Sequence, residues 1–354
     1  MSSFVIGYYA LLIGASCLAA YFNRRQIFIL IFSLTLISFV TGIIGGVPAL
    51  RFITTAAGLL ALAAGTSYAF REFLIIVSPE GVAKELRTAP LTASFGMFVI
   101  FTYAIAGVFA PVIAPFGEAE VISSSFAPAD ETMLLGADQL GRDMFSRIIY
   151  GARNSVGLAL LATALAFIMG ALAGLFAATK GGWFDQFMGR LADVIMSVPS
   201  LIFALLILSI FGTNLTVIVI VVAVIYSPRV FRLTRAVAGN VVVMDYIEAA
   251  KLRGEGTWYL IRREILPNST APLIAEFGLE FCFVFLLIAG LSFLGLGIQP
   301  PTADWGSMVR ENATLISFGE LTPLIPAAAI ALLTVSVNFV VDWMLFRSSG
   351  LKEV

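Results

Sequence analysis

The chain has 354 residues, of which 60% are hydrophobic and only 12% are charged, and its mean hydropathy is +0.99. Such a composition excludes an ordinary soluble domain. The formal net charge of −1 indicates no particular class of partner, and no nucleic-acid partner is expected. Histidine is absent, and Cys17 and Cys282 lie far apart in apolar runs, so neither a metal site nor a disulfide framework is expected.

Apolar runs of nearly 20 residues recur along the chain, and each is long enough to cross about 30 Å of hydrocarbon. Continuous runs, without the alternation of a β-barrel, predict an all-α polytopic membrane protein. The nine predicted spans are 4–22, 27–46, 52–70, 93–113, 154–178, 187–211, 215–235, 271–294 and 323–346.

The order of charges around the first span predicts its orientation. Arg24 and Arg25 follow the first apolar run, which predicts an uncleaved span with its N-terminus outside. With nine spans this places 16 of the 21 basic residues, and the C-terminal tail 347–354, in the cytoplasm, as the positive-inside rule requires. The outside segments then carry nine carboxylates, for which solubility is the default interpretation and a landing surface for a partner the alternative. These carboxylates are Glu118, Glu120, Asp130, Glu131, Asp138, Asp143, Asp304, Glu311 and Glu320.

The small-residue stripe Ala162, Ala166, Gly170, Gly174 and Ala178 lets one span approach another closely. Packing within this chain is its default interpretation, and contact with a partner chain is the alternative.

A polar insert, residues 239–270, separates two late spans. It predicts two short helices: the first with Asp245 as N-cap and Glu248 completing a capping box, the second with Thr257 as N-cap and Pro267 as its stop. Gly254 stands where the end of the first helix favours a positive φ.

Glu276 and Glu280 are spaced i, i+4 on one face of a predicted span. A carboxylate at membrane depth costs about 2.5–3.5 kcal/mol on insertion scales, so it usually faces a cavity or a counter-charge. The alternatives are a substrate path that receives cationic groups and a structural pairing with Arg262 or Arg263.

Within the polar insert, Glu248-Ala249-Ala250, Gly254 and Ile265-Leu266-Pro267 resemble the coupling loop of ABC importer permeases. Residues 93–346 are similar to the peptide and nickel branch of that family. The segments that carry this similarity are Leu135–Asp143, Ser146–Arg153, Gly181–Asp185, Arg190–Pro199, Pro228-Arg229, Leu291–Pro301 and Trp305-Gly306.

The resemblance implies a type I importer core of six spans, with a second permease, two ATPases and a substrate-binding protein as partners. It also implies that the ATPase contacts Asp245, Glu248, Ala249, Ala250, Lys251, Leu252, Gly254, Ile265, Leu266 and Pro267. No cofactor is expected on this chain: Gly-Lys never occurs, so there is no Walker A loop, and ATP with Mg²⁺ belongs to the ATPases.

This sequence departs from the family pattern in two places. Residues 1–77 add three spans, joined to the core by a linker at 78–92. Ile288 stands near the position where members of that family commonly carry a glutamate, so no substrate role is carried over from that glutamate.

The leading functional hypothesis is a non-catalytic permease subunit of the bacterial inner membrane that imports peptides, nickel chelates or opines by alternating access. An ion-coupled secondary transporter is the alternative; such proteins usually show paired intramembrane charges and inverted repeats. A membrane-embedded enzyme is a third class, but the sequence offers no convergent acid, base or metal site.

Overall fold

The computed structural model describes residues 48–318, 320 and 322–348. The chain divides into two compact units, Met1–Val77 and Ser78–Val354. In the first unit, α1 runs from Pro48 to Val77 and contains the predicted third span. The predicted spans at 4–22 and 27–46 lie outside the described residues, so the count of nine spans stays a prediction.

The second unit begins with short helices that lead into the bundle. Helix α2 spans Glu80–Leu86 within the predicted linker, and Pro90 stands immediately before α3, Leu91–Val108. A proline suits this position because its missing N–H would have no partner inside the helix. The one-turn helix α4, Ala110–Ile113, follows.

The next span is longer than the sequence predicts. Helix α5, Met144–Gly151, continues through a π-helical turn at Ala152–Val156 into α6, Gly157–Lys180. The sequence analysis predicts a span at 154–178, and the structure extends this helix back to Met144. Asp143 is the N-cap, since its side chain accepts a hydrogen bond from the Ser146 amide at 2.8 Å.

The predicted span 187–211 is two helices. Helix α7, Gly182–Met196, and α8, Ser200–Phe211, meet at an angle of 85°. Pro199 at the break cannot donate the backbone hydrogen bond that would continue α7, so the apolar run bends there.

Helix α9, Leu215–Val242, packs along α6 through the small-residue stripe. Ala162 and Ala166 are fully buried, and the Cα atoms of Gly170 and Gly174 face the backbone of α9 near Ser227 and Phe231. A side chain at either glycine would collide with that backbone. The stripe therefore packs within this chain, as its default interpretation holds.

The remaining helices complete the bundle. They are α10 Asp245–Leu252, α11 Thr257–Tyr259, α12 Leu266–Phe293, α13 Trp305–Asn312 and α14 Leu324–Ser348, with a 3₁₀ turn at Ala313–Phe318. Among the described residues five helices are long and apolar enough to cross a membrane, or six if the bent pair α7–α8 is one span. The largest core cluster joins α6, α9, α12 and α14 around residues such as Ile218, Phe285 and Leu333.

Candidate functional site

The polar insert forms a helix, a tight turn and a second helix. Helix α10 ends at Leu252, and Gly254 adopts φ +86° and donates its amide to the Lys251 carbonyl at 2.9 Å. The predicted positive φ at Gly254 is confirmed. Because glycine has no Cβ, it takes this conformation without strain.

The predicted caps are wrong. Asp245 and Thr257 are the first residues inside their helices, and Met244 and Gly256 occupy the N-cap positions without side-chain hydrogen bonds. Glu248 therefore completes no capping box. A side chain already inside the first turn is poorly placed to accept from the free amides of that turn, which is why capping falls to the preceding residue.

Pro267 is not a stop either. The helix from Thr257 runs on through a π-helical segment, Leu260–Ile265, into α12, so Thr257–Phe293 is one helix of 37 residues. Proline lacks an amide donor, and the wider turn immediately before it changes the hydrogen-bond register where that donor is missing. The second helix of the insert is thus the beginning of the span.

The insert has an inner and an outer face. Ala250 and Ile265 from the predicted contact set are fully buried, and they pack with Ile247, Leu260 and Ile261 in a separate apolar cluster. These residues hold the insert to its own chain. The rest of the predicted contact set is exposed: Asp245, Glu248, Ala249, Lys251, Leu252, Gly254, Leu266 and Pro267.

Large apolar side chains also lie on the outer face, and the sequence analysis overlooked all of them except Leu252. Leu252 is 84% exposed, and Val243, Met244, Tyr246, Trp258 and Tyr259 are exposed as well. This exposed apolar surface could have been predicted from the sequence, since these residues interrupt the polar stretch without the periodicity of a buried helix face.

Glu276 and Glu280 lie on α12, as predicted, but at different depths. Glu280 is buried, and its Oε2 accepts no hydrogen bond among the described residues; Glu276 is partly exposed. Neither forms a salt bridge with Arg262 or Arg263 in the described part of the chain. Arg229 on α9 is the cation that interacts electrostatically with both carboxylates.

Arg229 occupies an aromatic setting that the sequence analysis did not single out. Its guanidinium carbon lies 5.3 Å from the ring centroid of Tyr226 and 5.0 Å from that of Phe283. The Tyr226 hydroxyl donates to the Phe283 carbonyl at 3.2 Å, which ties α9 to α12 beneath the guanidinium. A cavity of about 340 Å³ opens beside it, lined by residues of α7, the bend, α8 and α9.

An ion-paired lobe, residues 114–147 and 295–318, lies at the other end of α12. Arg142 donates to Asp138 at 2.7 Å and to Glu311 at 2.9 Å, and Arg147 lies 3.3 Å from Asp138 and 3.5 Å from Glu311. Two cations and two carboxylates are thus buried together. Arg147 also donates to the Glu118 carbonyl at 3.0 Å, which ties in a third chain segment.

Asp304 belongs to the same lobe. It accepts from the Ser155 hydroxyl at 2.7 Å and from the Ser307 amide at 2.8 Å, and burial raises its pKa above the ordinary value in spite of these bonds. Solubility is therefore the wrong interpretation for several of the nine carboxylates. Asp138, Asp143, Asp304 and the Glu311 side chain are interior groups.

Comparison with known proteins places this geometry in a family. Residues 170–348 match the family described as "Binding-protein-dependent transport system inner membrane component". A di/tripeptide transport system permease of Pseudomonas aeruginosa is 35% identical over 254 residues, which cover 70% of this chain and 84% of the relative. A dipeptide transport system permease of Alkalihalophilus pseudofirmus is 34% identical over 261 residues, 73% of this chain and 85% of the relative.

Similarity to solved structures is looser. An amino acid ABC transporter matches with a TM-score of 0.44 and 23% identity, covering 58% of this chain and 94% of that chain. The comparisons give no support to a secondary transporter. The chain belongs to the family of binding-protein-dependent transport system inner membrane components, and it is a non-catalytic, multi-pass permease subunit of an ABC importer.

Proposed function

We propose that this permease imports short peptides, or a related small solute such as a nickel chelate or an opine. The observation that carries the proposal is the 35% identity over 254 residues to a permease named for di- and tripeptides. The test is uptake of radiolabelled dialanine by vesicles that contain the complete importer. Uptake that depends on ATP and on the binding protein supports the proposal, and an importer that transports neither dialanine nor a nickel chelate nor an opine contradicts it.

The outer face of the polar insert is the proposed docking surface for the ATPase. It combines the exposed charges Asp245, Glu248 and Lys251 with exposed apolar side chains, above all Leu252. An apolar centre with a charged rim is the usual composition of a protein interface. The buried Ala250 and Ile265 support this surface from below, and Gly254, Leu266 and Pro267 shape its edges.

A matched pair of variants tests the docking surface. Leu252→Asp places a charge at the centre of the proposed interface, whereas Leu134→Asp makes the same change at a residue that is 64% exposed in the ion-paired lobe. The first variant should lose the ATPases on purification in mild detergent, and the second should retain them. ATPases that remain bound to the Leu252→Asp permease would contradict the proposed surface.

The proposed assembly contains a second, different permease subunit, two ATPases that bind ATP and Mg²⁺, and an extracytoplasmic binding protein. The N-terminus lies outside and the C-terminus in the cytoplasm, because that orientation places 16 of 21 basic residues inside. Co-purification tests the composition. A cytoplasmic reporter enzyme fused after Glu353 should be active, and one fused before Phe4 should not.

Residues 1–77 are proposed as a separable module ahead of the permease core. The boundary between the two compact units, at Val77 and Ser78, supports this division. A chain that lacks residues 2–77 should keep its orientation and still assemble with the partner permease. Complete loss of assembly would place residues 1–77 in the permease interface.

Glu276 and Glu280 are proposed as groups of the substrate path. The buried Oε2 of Glu280 supports this proposal, because it has no hydrogen-bond partner among the described residues. A carboxylate within a membrane span that lacks such a partner usually faces a cavity or has a functional role. Glu280→Gln should assemble normally and transport more slowly than the wild type, and this slowing should be larger for cationic than for neutral substrates. A loss of thermal stability with normal transport per molecule would instead assign Glu280 a structural role.

A further inference from the structure

Three arginines of α9 follow one another at intervals of three residues, and one of them differs from the others. Arg232 pairs with Asp193 and Arg235 pairs with Asp185, both on α7. Arg229 is exposed and makes no ion pair within the described residues, although it lies inside the predicted span 215–235. An arginine at that depth usually has a partner or faces a cavity.

The surroundings of Arg229 hold the guanidinium without using its donors. The rings of Tyr226 and Phe283, from two different helices, lie about 5 Å from it. Ring faces attract the cation but accept few of its five N–H donors, so the planar fork stays available. The wall beside it is mostly apolar: Ile195, Met196, Val198, Leu201 and Ile225.

From these features we propose that the cavity at the α7–α8 bend is a carboxylate-binding site in which Arg229 receives the free C-terminal carboxylate of the transported peptide. This proposal rests on the proposed function and names the group that is recognised. A guanidinium binds a carboxylate through two parallel hydrogen bonds. The volume of about 340 Å³ is at the lower end for ligand sites, as a small peptide requires.

Glu276 and Glu280 give the site its polarity. They act on Arg229 electrostatically from α12 but do not line the cavity, so they do not fill it as counter-ions. A zwitterion that presents its carboxylate to Arg229 can direct its ammonium group toward these two carboxylates. The arrangement therefore favours a peptide with both termini free over one whose C-terminus is blocked.

The test uses the complete importer in proteoliposomes, with dialanine and dialanine amide as probes. The amide keeps the chain and lacks the free carboxylate. Uptake of both is measured at saturating binding protein for the wild type and for Arg229→Gln. The preference of the binding protein is common to both permeases, so it cancels when the ratio of the two uptake rates is compared between them.

Arg229→Gln should reduce dialanine uptake about tenfold or more, the effect expected for the loss of a hydrogen bond to a charged group, and should leave amide uptake nearly unchanged. Arg229→Lys should restore part of the loss. Arg232→Gln, which breaks only the exposed pair with Asp193, is the control and should not change the ratio.

A second measurement needs no binding protein. Ser200 lines the cavity, so Ser200→Cys supplies a thiol whose alkylation reports on occupancy. Dialanine should slow the alkylation of Ser200→Cys when Arg229 is present. It should not slow alkylation in the double variant Ser200→Cys, Arg229→Gln. Dialanine amide should have no effect on alkylation in either variant. Equal protection by both peptides would overturn the proposal.

The outcomes separate this proposal from the one on which it rests. If the wild type transports dialanine but the ratio in Arg229→Gln is unchanged, Arg229 does not bind the carboxylate. If Arg229→Gln only impairs assembly, Arg229 pairs with a carboxylate of the partner permease instead. If the wild type neither transports dialanine nor is protected by it, the peptide assignment fails, and this proposal fails with it.

Discussion

The ion-paired lobe and the polar insert lie at opposite ends of the helix Thr257–Phe293, and they satisfy their polar groups in opposite ways. In the lobe, Arg142 and Arg147 are buried against Asp138 and Glu311, so each charge finds its counter-charge within the chain. In the insert, the charges are exposed and the helix N-caps make no side-chain hydrogen bonds.

This difference indicates what each region needs from a partner. A buried, mutually paired network is held together within this chain, so the lobe needs no partner to neutralise these four charges. The insert buries Ile247 and Ala250 but leaves Leu252 and Trp258 exposed. Buried contacts with its own chain therefore stabilise the insert, and its outer face is free for contact. The following experiments test this contrast, beginning with the largest expected effect.

Removal of one lobe cation should cause the largest loss of stability. Arg147→Ala leaves Asp138 and Glu311 short of a positive charge in a buried setting, which typically costs about 3–5 kcal/mol. Thermal unfolding of the purified complex measures the effect, with exposed Arg310→Ala in the same lobe as control. Equal melting temperatures for the two variants would show that the lobe does not depend on its ion pairs.

The two faces of α10 should respond differently to truncation. Ile247→Ala removes a fully buried side chain and should weaken the insert by about 2–4 kcal/mol, whereas Leu252→Ala removes an exposed one and should leave local stability unchanged. Hydrogen exchange of the α10 amides measures both. Fast exchange in Leu252→Ala, matching Ile247→Ala, would contradict the division into an inner and an outer face.

The turn of the insert offers a smaller and purely conformational effect. Gly254→Ala forces a side chain into φ +86° and should cost about 1 kcal/mol, although no atom stands within 4 Å of the added Cβ. Gly256→Ala is the control, because Gly256 has an ordinary φ of −77° and equally open space. Local hydrogen exchange should be faster in the first variant only, and no difference between the two would argue against the strained turn.

The smallest effect should appear at an exposed turn of the lobe. The Thr132 hydroxyl, followed by the amides of Met133 and Thr132, lowers the pKa of Asp130 below its ordinary value. A carboxylate with a lowered pKa stabilises the folded state above its ordinary pKa, and this contribution is lost as the pH falls through the folded pKa. The small difference in melting temperature between wild type and Asp130→Ala should therefore disappear at acid pH.

Glu131→Ala serves as the control for that measurement. Glu131 is exposed and adjacent, so it reports any general effect of removing one negative charge from the turn. A difference in melting temperature for Asp130→Ala that persists unchanged in acid would contradict the hydrogen-bonded role of Asp130.

The sequence by itself determined the class of the protein and the positions of several of its spans. Length and hydropathy fix how much chain crosses hydrocarbon, so predicted spans such as 154–178 and 215–235 fall inside observed helices. The turn at Gly254 was also predictable, because a positive φ is a local property of the backbone. Motifs of the polar insert and the core identified the family, which the comparisons then showed.

Only the tertiary structure decided where polar groups go. Asp138 and Glu311 are buried because arginines pair with them. Glu311 and its partner Arg142 lie more than 160 positions apart in the chain, so no local sequence pattern encodes this pairing. The bend between α7 and α8 and the continuation of the helix through Pro267 depend likewise on how neighbouring helices and a π-helical turn compensate a missing amide. For the same reason Arg229 became distinct from Arg232 and Arg235 only once α7 had supplied counter-charges to those two.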